Sequence, residues 1–192
     1  DYDRSSDKIV IGNGGNGLWY GGFQDNELNQ IYYSGWMELE PSFSSDGNRV
    51  VFMSSGNTSN YEIYRVDIDG SGFFQVTNNG GYNSSPKYSS NNMIGFLKDG
   101  NVHLIDENGN NELQLSNNPQ NLNQGFSFSD DGTKIVFEND GKLTVYDIVI
   151  IYLVTLKSIL KVENLILYFL LNLILEMKGF TIYWVVVKFL II

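Results

Sequence analysis

Pro41 to Phe52 reads PSFSSDGNRVVF, and the chain spells it again. Phe126 to Phe137 reads FSFSDDGTKIVF, and Pro86 to Phe96 gives a looser copy, PKYSSNNMIGF. Each copy places an aromatic and a serine before a turn, then an apolar run that ends in phenylalanine. The copies start 45 and 40 residues apart. Self-similarity at such a period means one supersecondary unit stacked several times, because a single unit cannot bury its own apolar surface.

Each unit reads as four short strands. In the first full copy, Ser42 to Ser44 is one strand and Asp46-Gly47 the turn, since glycine accepts positive φ without a Cβ clash. Arg49 to Met53 is the second strand, followed by a polar loop over Ser54 to Asn60. Tyr61 to Ile68 alternates Ile63, Arg65 and Asp67 against Tyr64, Val66 and Ile68, which predicts a third strand. Asp69-Gly70 turns the chain into a fourth, Phe73 to Thr77. The next copy repeats this with Asn101 to Asp106, Asn108-Gly109 and Leu113 to Ser116. The last copy holds through Leu143 to Asp147. Before the first full copy, Lys8 to Ile11 matches Arg49 to Phe52, with further short strands at Leu18 to Tyr20 and Gln30 to Tyr33. Four antiparallel strands per unit at this spacing predict the blades of an all-β propeller. A β-solenoid, with shorter repeats and no paired hairpin turns, fits less well. Residues 1–148 then hold a partial blade, two full blades and most of another, an incomplete propeller or open arc.

Composition changes sharply after that. Residues 1–148 carry 20 acids and 8 bases, net −12, whereas residues 149–192 carry 2 acids and 4 bases, with 32 of 44 residues apolar. The tail has apolar runs at Ile148 to Leu156, Val162 to Leu175 and Phe180 to Ile192, broken by Asn164, Asn172, Glu176, Lys178 and Lys188. None is an uninterrupted span of roughly 20 apolar residues. The favoured reading is a shifted reading frame. With permitted codons, Asn164 to Asn172 then spells Phe-Asn-Pro-Val-Phe-Ser-Pro-Glu, with its proline at position 166 or 167, where the 40-residue spacing from Phe126 calls for one at 166. A membrane-prone hairpin or amphipathic helical pair is the alternative.

Pro41-Ser-Phe-Ser-Ser-Asp-Gly, Arg49-Val-Val-Phe, Tyr61-Glu-Ile-Tyr-Arg-Val-Asp-Ile-Asp-Gly and Gln75-Val-Thr together resemble the repeat of the TolB-like (WD-like) β-propeller family. The resemblance covers residues 5–148. Ser45 and Asp130 stand where that family often has a second proline, and the Pro86 copy lacks the Asp-Gly of the inner turn. The resemblance implies a fragment of about three to four blades from a longer propeller. It also implies either a periplasmic or extracellular binding scaffold or a propeller that caps a serine peptidase.

The net charge of −10 argues against a nucleic-acid partner, whose binders carry a basic patch or stripe. There is no cysteine, and His103 is the one histidine, so thiolate and multi-histidine metal sites are excluded. The chain opens at Asp1 without a leader, so any targeting signal is expected to be removed or to lie outside this stretch. Gly12 to Gly17 matches G-x-G-x-x-G, but Leu18-Trp19-Tyr20 after it does not open the helix a dinucleotide site needs. Asp67 to Gly70 and Asp106 to Gly109 faintly resemble calcium loops. The first has no closing glutamate, and in the second Glu112 comes too early, so both read as turns in which Asp67 and Asp106 bond nearby backbone. His103 has no G-x-S-x-G nucleophile elbow to serve, and it reads as a packing or surface residue. Trp19, Trp36 and the tyrosines could stack on a sugar or peptide, but most of them read as contacts between blades. Asn57-Thr-Ser and Asn83-Ser-Ser fit the glycosylation triplet, which means little in so Asn-rich a chain.

No catalytic, cofactor-binding or metal residue is assigned, and no ligand-binding residue stands out. The loops Ser54 to Asn60, Asn78 to Ser85 and Asn117 to Asn123 are expected to share one rim of the disc, and a ligand is expected at that rim or at the central channel. Three functions are consistent with the sequence: a non-catalytic scaffold for a protein or peptide partner outside the cytoplasm, the propeller of a larger serine peptidase, or, if residues 149–192 are genuine, a membrane-anchored β-domain.

Overall fold

A computed structural model describes residues 1–3, 7–22, 24, 27–56, 60–117 and 125–148. The chain divides into two compact units, Asp1–Val145 and Tyr146–Ile192. Residues 149–192, on which the frame-shift and membrane readings fall, lie outside the described residues. No helix among the described residues is long and apolar enough to cross a membrane.

The described strands form four antiparallel sheets in chain order, each built as a meander. The first sheet holds β1 (Tyr2–Asp3), β2 (Lys8–Gly12), β3 (Leu18–Gly22) and β4 (Asn29–Tyr32). The second holds β5 (Glu38–Phe43), β6 (Arg49–Ser54), β7 (Glu62–Asp67) and β8 (Phe74–Gln75). The third holds β9 (Asn83–Tyr88), β10 (Met93–Lys98), β11 (Asn101–Asp106) and β12 (Leu113–Gln114). The fourth holds β13 (Phe126–Phe128), β14 (Lys134–Asn139) and β15 (Lys142–Asp147). The first repeat, expected as part of a unit, shows all four strands. Its β1 is two residues long and so carries no alternation to read.

The inner hairpin is held by its own side chains. Ser44 Oγ donates to Asp46 Oδ1 at 2.6 Å and accepts from Arg49 N at 3.0 Å, while Gly47 N donates to Ser44 O at 2.9 Å. Gly47 sits at φ +66°, the conformation its missing Cβ allows. Ser129, Asp131, Gly132 and Lys134 repeat this arrangement in the fourth sheet. In the third sheet the turn is one residue shorter. Ser89 Oγ still accepts from Met93 N at 3.0 Å, and Asn92 takes the glycine's place at φ +63°. Asparagine is among the few residues that visit this region readily, which is how the turn survives without Asp-Gly.

Neighbouring residues on a strand pack in opposite directions, and both directions are apolar. Val50, Phe52 and Val66 pack with Val10, Leu18 and Ile31 of the first sheet. Val51, Met53 and Ile63 pack with Tyr88, Ile94, Phe96 and Ile105 of the third. On the far side of β10, a Cβ built on Gly95 would lie 2.5 Å from Phe126 Cε2 and 2.8 Å from Phe128 Cζ. Glycine is therefore required for the fourth sheet to close on the third. The alternation of Tyr61 to Ile68 thus does not divide a wet face from a dry one. It divides two neighbours.

Polar links run between sheets as well. Glu62, only 4% exposed, accepts from Thr77 Oγ1 at 2.5 Å and Asn83 Nδ2 at 2.9 Å through Oε2, and from Gly80 N at 3.3 Å through Oε1. Arg49 pairs with Glu107, and Arg65 Nε donates to Glu107 O at 2.9 Å. Lys87 Nζ donates to Phe126 O at 3.0 Å.

Candidate binding face

The first strands of the second, third and fourth sheets border one open depression of about 700 Å³. Its wall is mainly hydroxyl and aromatic: Ser42, Phe43, Ser89, Ser90, Ser127 and Phe128. Charge enters through Asp1, Glu40, Lys87 and Asp130. Glu40 and Ser85 both precede a proline in an inner strand, and both take positive φ, +51° and +52°. The register slips at each place, between Leu39 and Ser42 and between Gly95 and Leu97. A residue before proline normally favours extended backbone, so two such kinks at equivalent places are held by their surroundings. One restraint is visible: Glu40 Oε2 accepts from Ser85 N at 2.6 Å, tying the two inner strands together. Asp1 adds a similar tie, its Oδ2 accepting from Phe43 N at 3.0 Å. The prolines Pro41 and Pro86 were the sequence signal for this feature, but the kinked residues Glu40 and Ser85 share no chemistry that would have marked them.

The turns at the closed end of the inner hairpins carry the most perturbed exposed carboxyl. Hydrogen bonds from Ser129, Thr133 N and the Thr133 hydroxyl bring Asp131 down to about 2. Asp46 moves the same way, led by its bond from Ser44. A carboxyl held lower in the folded chain than in the unfolded one stabilises the fold above its ordinary pKa, 3.8. That contribution drains away as pH falls from about 4 toward 2. In Ser129→Ala, a carbon-13 titration of Asp131 should show its midpoint returning toward the ordinary value. An unmoved midpoint would mean that the serine does not hold the turn.

The loop rim is partly described. Asn60 Nδ2 donates to Gly80 O at 2.9 Å, so the loops after β6 and β8 meet as the sequence suggested. Residues 57–59 and 118–124, including Asn57 of one glycosylation triplet, lie outside the described residues. Asn83, of the other triplet, is fully buried, and its amide donates to Tyr61 O, Gly81 O, Glu62 and Asn79. It is a latch between sheets, with no free amide to modify. Met37, Tyr61 and Tyr82 form a small cluster on this rim: Tyr61 Oη lies 3.2 Å from Met37 Sδ, and the tyrosine rings are 5.4 Å apart. Trp36 is exposed beside them, so it does not serve as a contact between sheets.

The motifs weighed in the sequence fall at structural places. Gly12 to Gly17 ends β2 and leads into β3, with Gly14 bridged to Glu38. Trp19 Nε1 donates to Asn16 O at 2.9 Å, closing that loop. Asp106 Oδ1 accepts from Asn108 N at 2.9 Å and Asn110 N at 2.8 Å, as a turn aspartate does. In the preceding sheet the equivalent backbone bond goes to Asp69, which accepts from Ser71 N at 2.9 Å, and not to Asp67. His103 is buried on β11 against Phe96, with Nδ1 2.9 Å from Glu112 Oε1. Burial pushes its pKa down, with Glu112 pulling the other way. No group of three histidine, aspartate or glutamate side chains among the described residues is placed to hold a metal ion.

No protein-family model and no curated protein matches the chain. Solved structures do. TolB from Acinetobacter baumannii superposes with a TM-score of 0.60 at 21% identity, over 77% of this chain and 40% of that one. An oligogalacturonate lyase in complex with manganese gives 0.58 at 15% identity, over 76% and 48%. The nidogen/laminin complex gives 0.55 at 11%, over 73% and 57%. The chain is a run of β-propeller blades. It spans 40–57% of these solved chains, and at such identities the likeness is one of fold. The four sheets are the blades, the first strand of each is its inner strand, and the depression lies along the inner strands.

Proposed function

We propose that these blades form a non-catalytic binding scaffold that takes a protein or peptide partner outside the cytoplasm. The observation that carries this reading is the depression itself. Three inner strands present serine hydroxyls and aromatic edges to one open space of about 700 Å³. Hydroxyls that both donate and accept, set among aromatic surfaces, suit an extended polypeptide better than a nucleic-acid backbone, which calls for basic groups. The extracytoplasmic setting rests on the resemblance of the repeat.

The test is a selection from a displayed peptide library on the immobilised chain, repeated with Ser127→Trp and Ser42→Trp, which fill the depression. The scaffold reading expects enriched peptides that lose at least tenfold in affinity to both variants. Peptides that bind the filled variants equally well would move the site to the loop rim. The absence of any enriched peptide would sink the reading and leave the propeller to a role such as capping a peptidase.

A further inference from the structure

We propose that His103 is a pH-sensitive catch on the connection between the second and third blades, its protonation drawing Glu112 away from Asn79 and loosening residues 78–82. His103 is the one histidine of the chain. Histidine is the side chain whose ordinary pKa puts its change of charge between pH 5 and 8. On β11 it shares the face of Ile105, which packs with Val51, Met53 and Ile63 of the second blade, and it is only 6% exposed. From β10 the Phe96 ring lies 5.4 Å away, and Lys98 and Asp99 bring charges of opposite sign. On β12 Gln114 is directly opposite, and just before that strand Glu112 brings Oε1 to 2.9 Å from His103 Nδ1. Nδ1 is closed to solvent and makes no aligned hydrogen bond. The imidazole therefore waits beside a carboxylate that it does not yet grip.

Glu112 is shared. Lys98 Nζ lies 3.4 Å from its Oε1, and Asn79 Nδ2 reaches Oε2 at 3.4 Å and Oε1 at 3.5 Å, the limit of a hydrogen bond. Asn79 belongs to the connection between the blades. Its Oδ1 accepts from Asn83 Nδ2 at 3.0 Å and Gly81 N at 3.2 Å, and its Nδ2 donates to Asn83 Oδ1 at 3.3 Å. Asn83 in turn holds Glu62. A continuous polar line thus runs from His103 to the latch between the two blades. An imidazolium bonds a carboxylate roughly twice as strongly as a neutral donor does, so charging His103 takes Glu112 from its weakest partner, the Asn79 amide. Burial opposes the proton more than Glu112 attracts it, and the pKa lies below its ordinary 6.5. The unfolded chain therefore takes the proton first. Stability falls as pH drops through 6.5 and stops falling below the lowered pKa. The catch lies wholly within the described second and third blades, and it operates whether or not a peptide fills the depression.

The test is an NMR titration of the 192-residue chain from pH 8 to pH 5. The His103 ring protons should give a midpoint below 6.5. The Asn79 side-chain amide and the Gly80 and Gly81 backbone amides should shift with that same midpoint, and the hydrogen-exchange protection of Gly81 should fall across it. In His103→Gln these shifts should vanish. In Glu112→Gln the His103 midpoint should drop further, because the carboxylate's pull is gone, while the connection stays still. If His103→Gln loses its strand signal in circular dichroism, His103→Tyr takes its place, since Tyr64 fills the equivalent position of the second blade. Connection amides that stay still while His103 titrates overturn the proposal. So do amides that move equally without the imidazole, a midpoint unmoved in Glu112→Gln, or a His103 that does not titrate in this range.

Discussion

Phe52→Ala should lower the unfolding free energy of the chain by about 3–5 kcal/mol in a urea titration, with little change in slope. Phe52 is 0% exposed, with the Tyr32 ring centroid 5.6 Å away on the first blade and Tyr64 at 5.9 Å on its own. Removing the ring takes away its own transfer free energy and leaves a cavity between two sheets whose backbones are fixed by their ladders. Tyr32 and Tyr64 also clasp Phe73, whose ring lies 4.6 Å and 5.4 Å from theirs, so neither can swing inward without breaking that stack. A site that cannot collapse falls at the upper end of the range. A loss below about 1 kcal/mol would mean that the first two blades do not share this core.

Asn83→Ala should cost about 3 kcal/mol, although the side chain removed is small and polar. Asn83 Nδ2 donates to Glu62 Oε2 at 2.9 Å and to Tyr61 O at 3.1 Å, in a site closed to solvent. Without it, a buried carboxylate keeps Thr77 Oγ1 and Gly80 N but loses its amide donor. The cost arises chiefly from what is left unpaired. Asn83→Asp separates this from simple loss of packing. It preserves shape but sets a second carboxylate against Glu62, so it should be at least as destabilising as alanine at pH 7 and recover part of the loss near pH 4. If alanine and aspartate behave alike at both values, the amide does not serve Glu62.

The repeat was legible in the sequence because its marks are chemical. Ser44, Asp46 and Gly47 each have a job in the turn that few other residues can do, so they recur in readable form. The strands between the turns were legible from β-branched and aromatic residues at a fixed offset. What could not be read was set by partners distant in the chain. β1 is two residues long and exists by pairing Tyr2 with Ile9. The kinks at Glu40 and Ser85 follow from the contact between inner strands, and nothing in those two side chains announces them. A central channel was to be expected of a propeller, but the residues of the depression could not be singled out for the same reason. Its wall is serine and aromatic residues that the turn and core patterns had already explained, and only the side-by-side placing of three inner strands makes it a surface. Trp36 is an exception among the aromatics expected between blades, because its loop leaves it 45% exposed.

The two-faced strands bear on how this chain keeps its register. In a sheet with one wet face, sliding a strand by one residue sends the core into water, and the hydrophobic pattern alone forbids the error. Here Val50 and Val51 are both fully buried, as are Phe52 and its neighbour Met53. A slip would exchange one greasy neighbour for another, and the penalty that normally polices alignment is largely missing. The task passes to the corners: Ser44 grips Arg49 N, Ser129 grips Lys134 N, and Ser89 grips Met93 N one residue sooner. A single hydroxyl in each hairpin thus acts as the pawl of a ratchet, deciding which of two nearly equal alignments the strand behind it adopts.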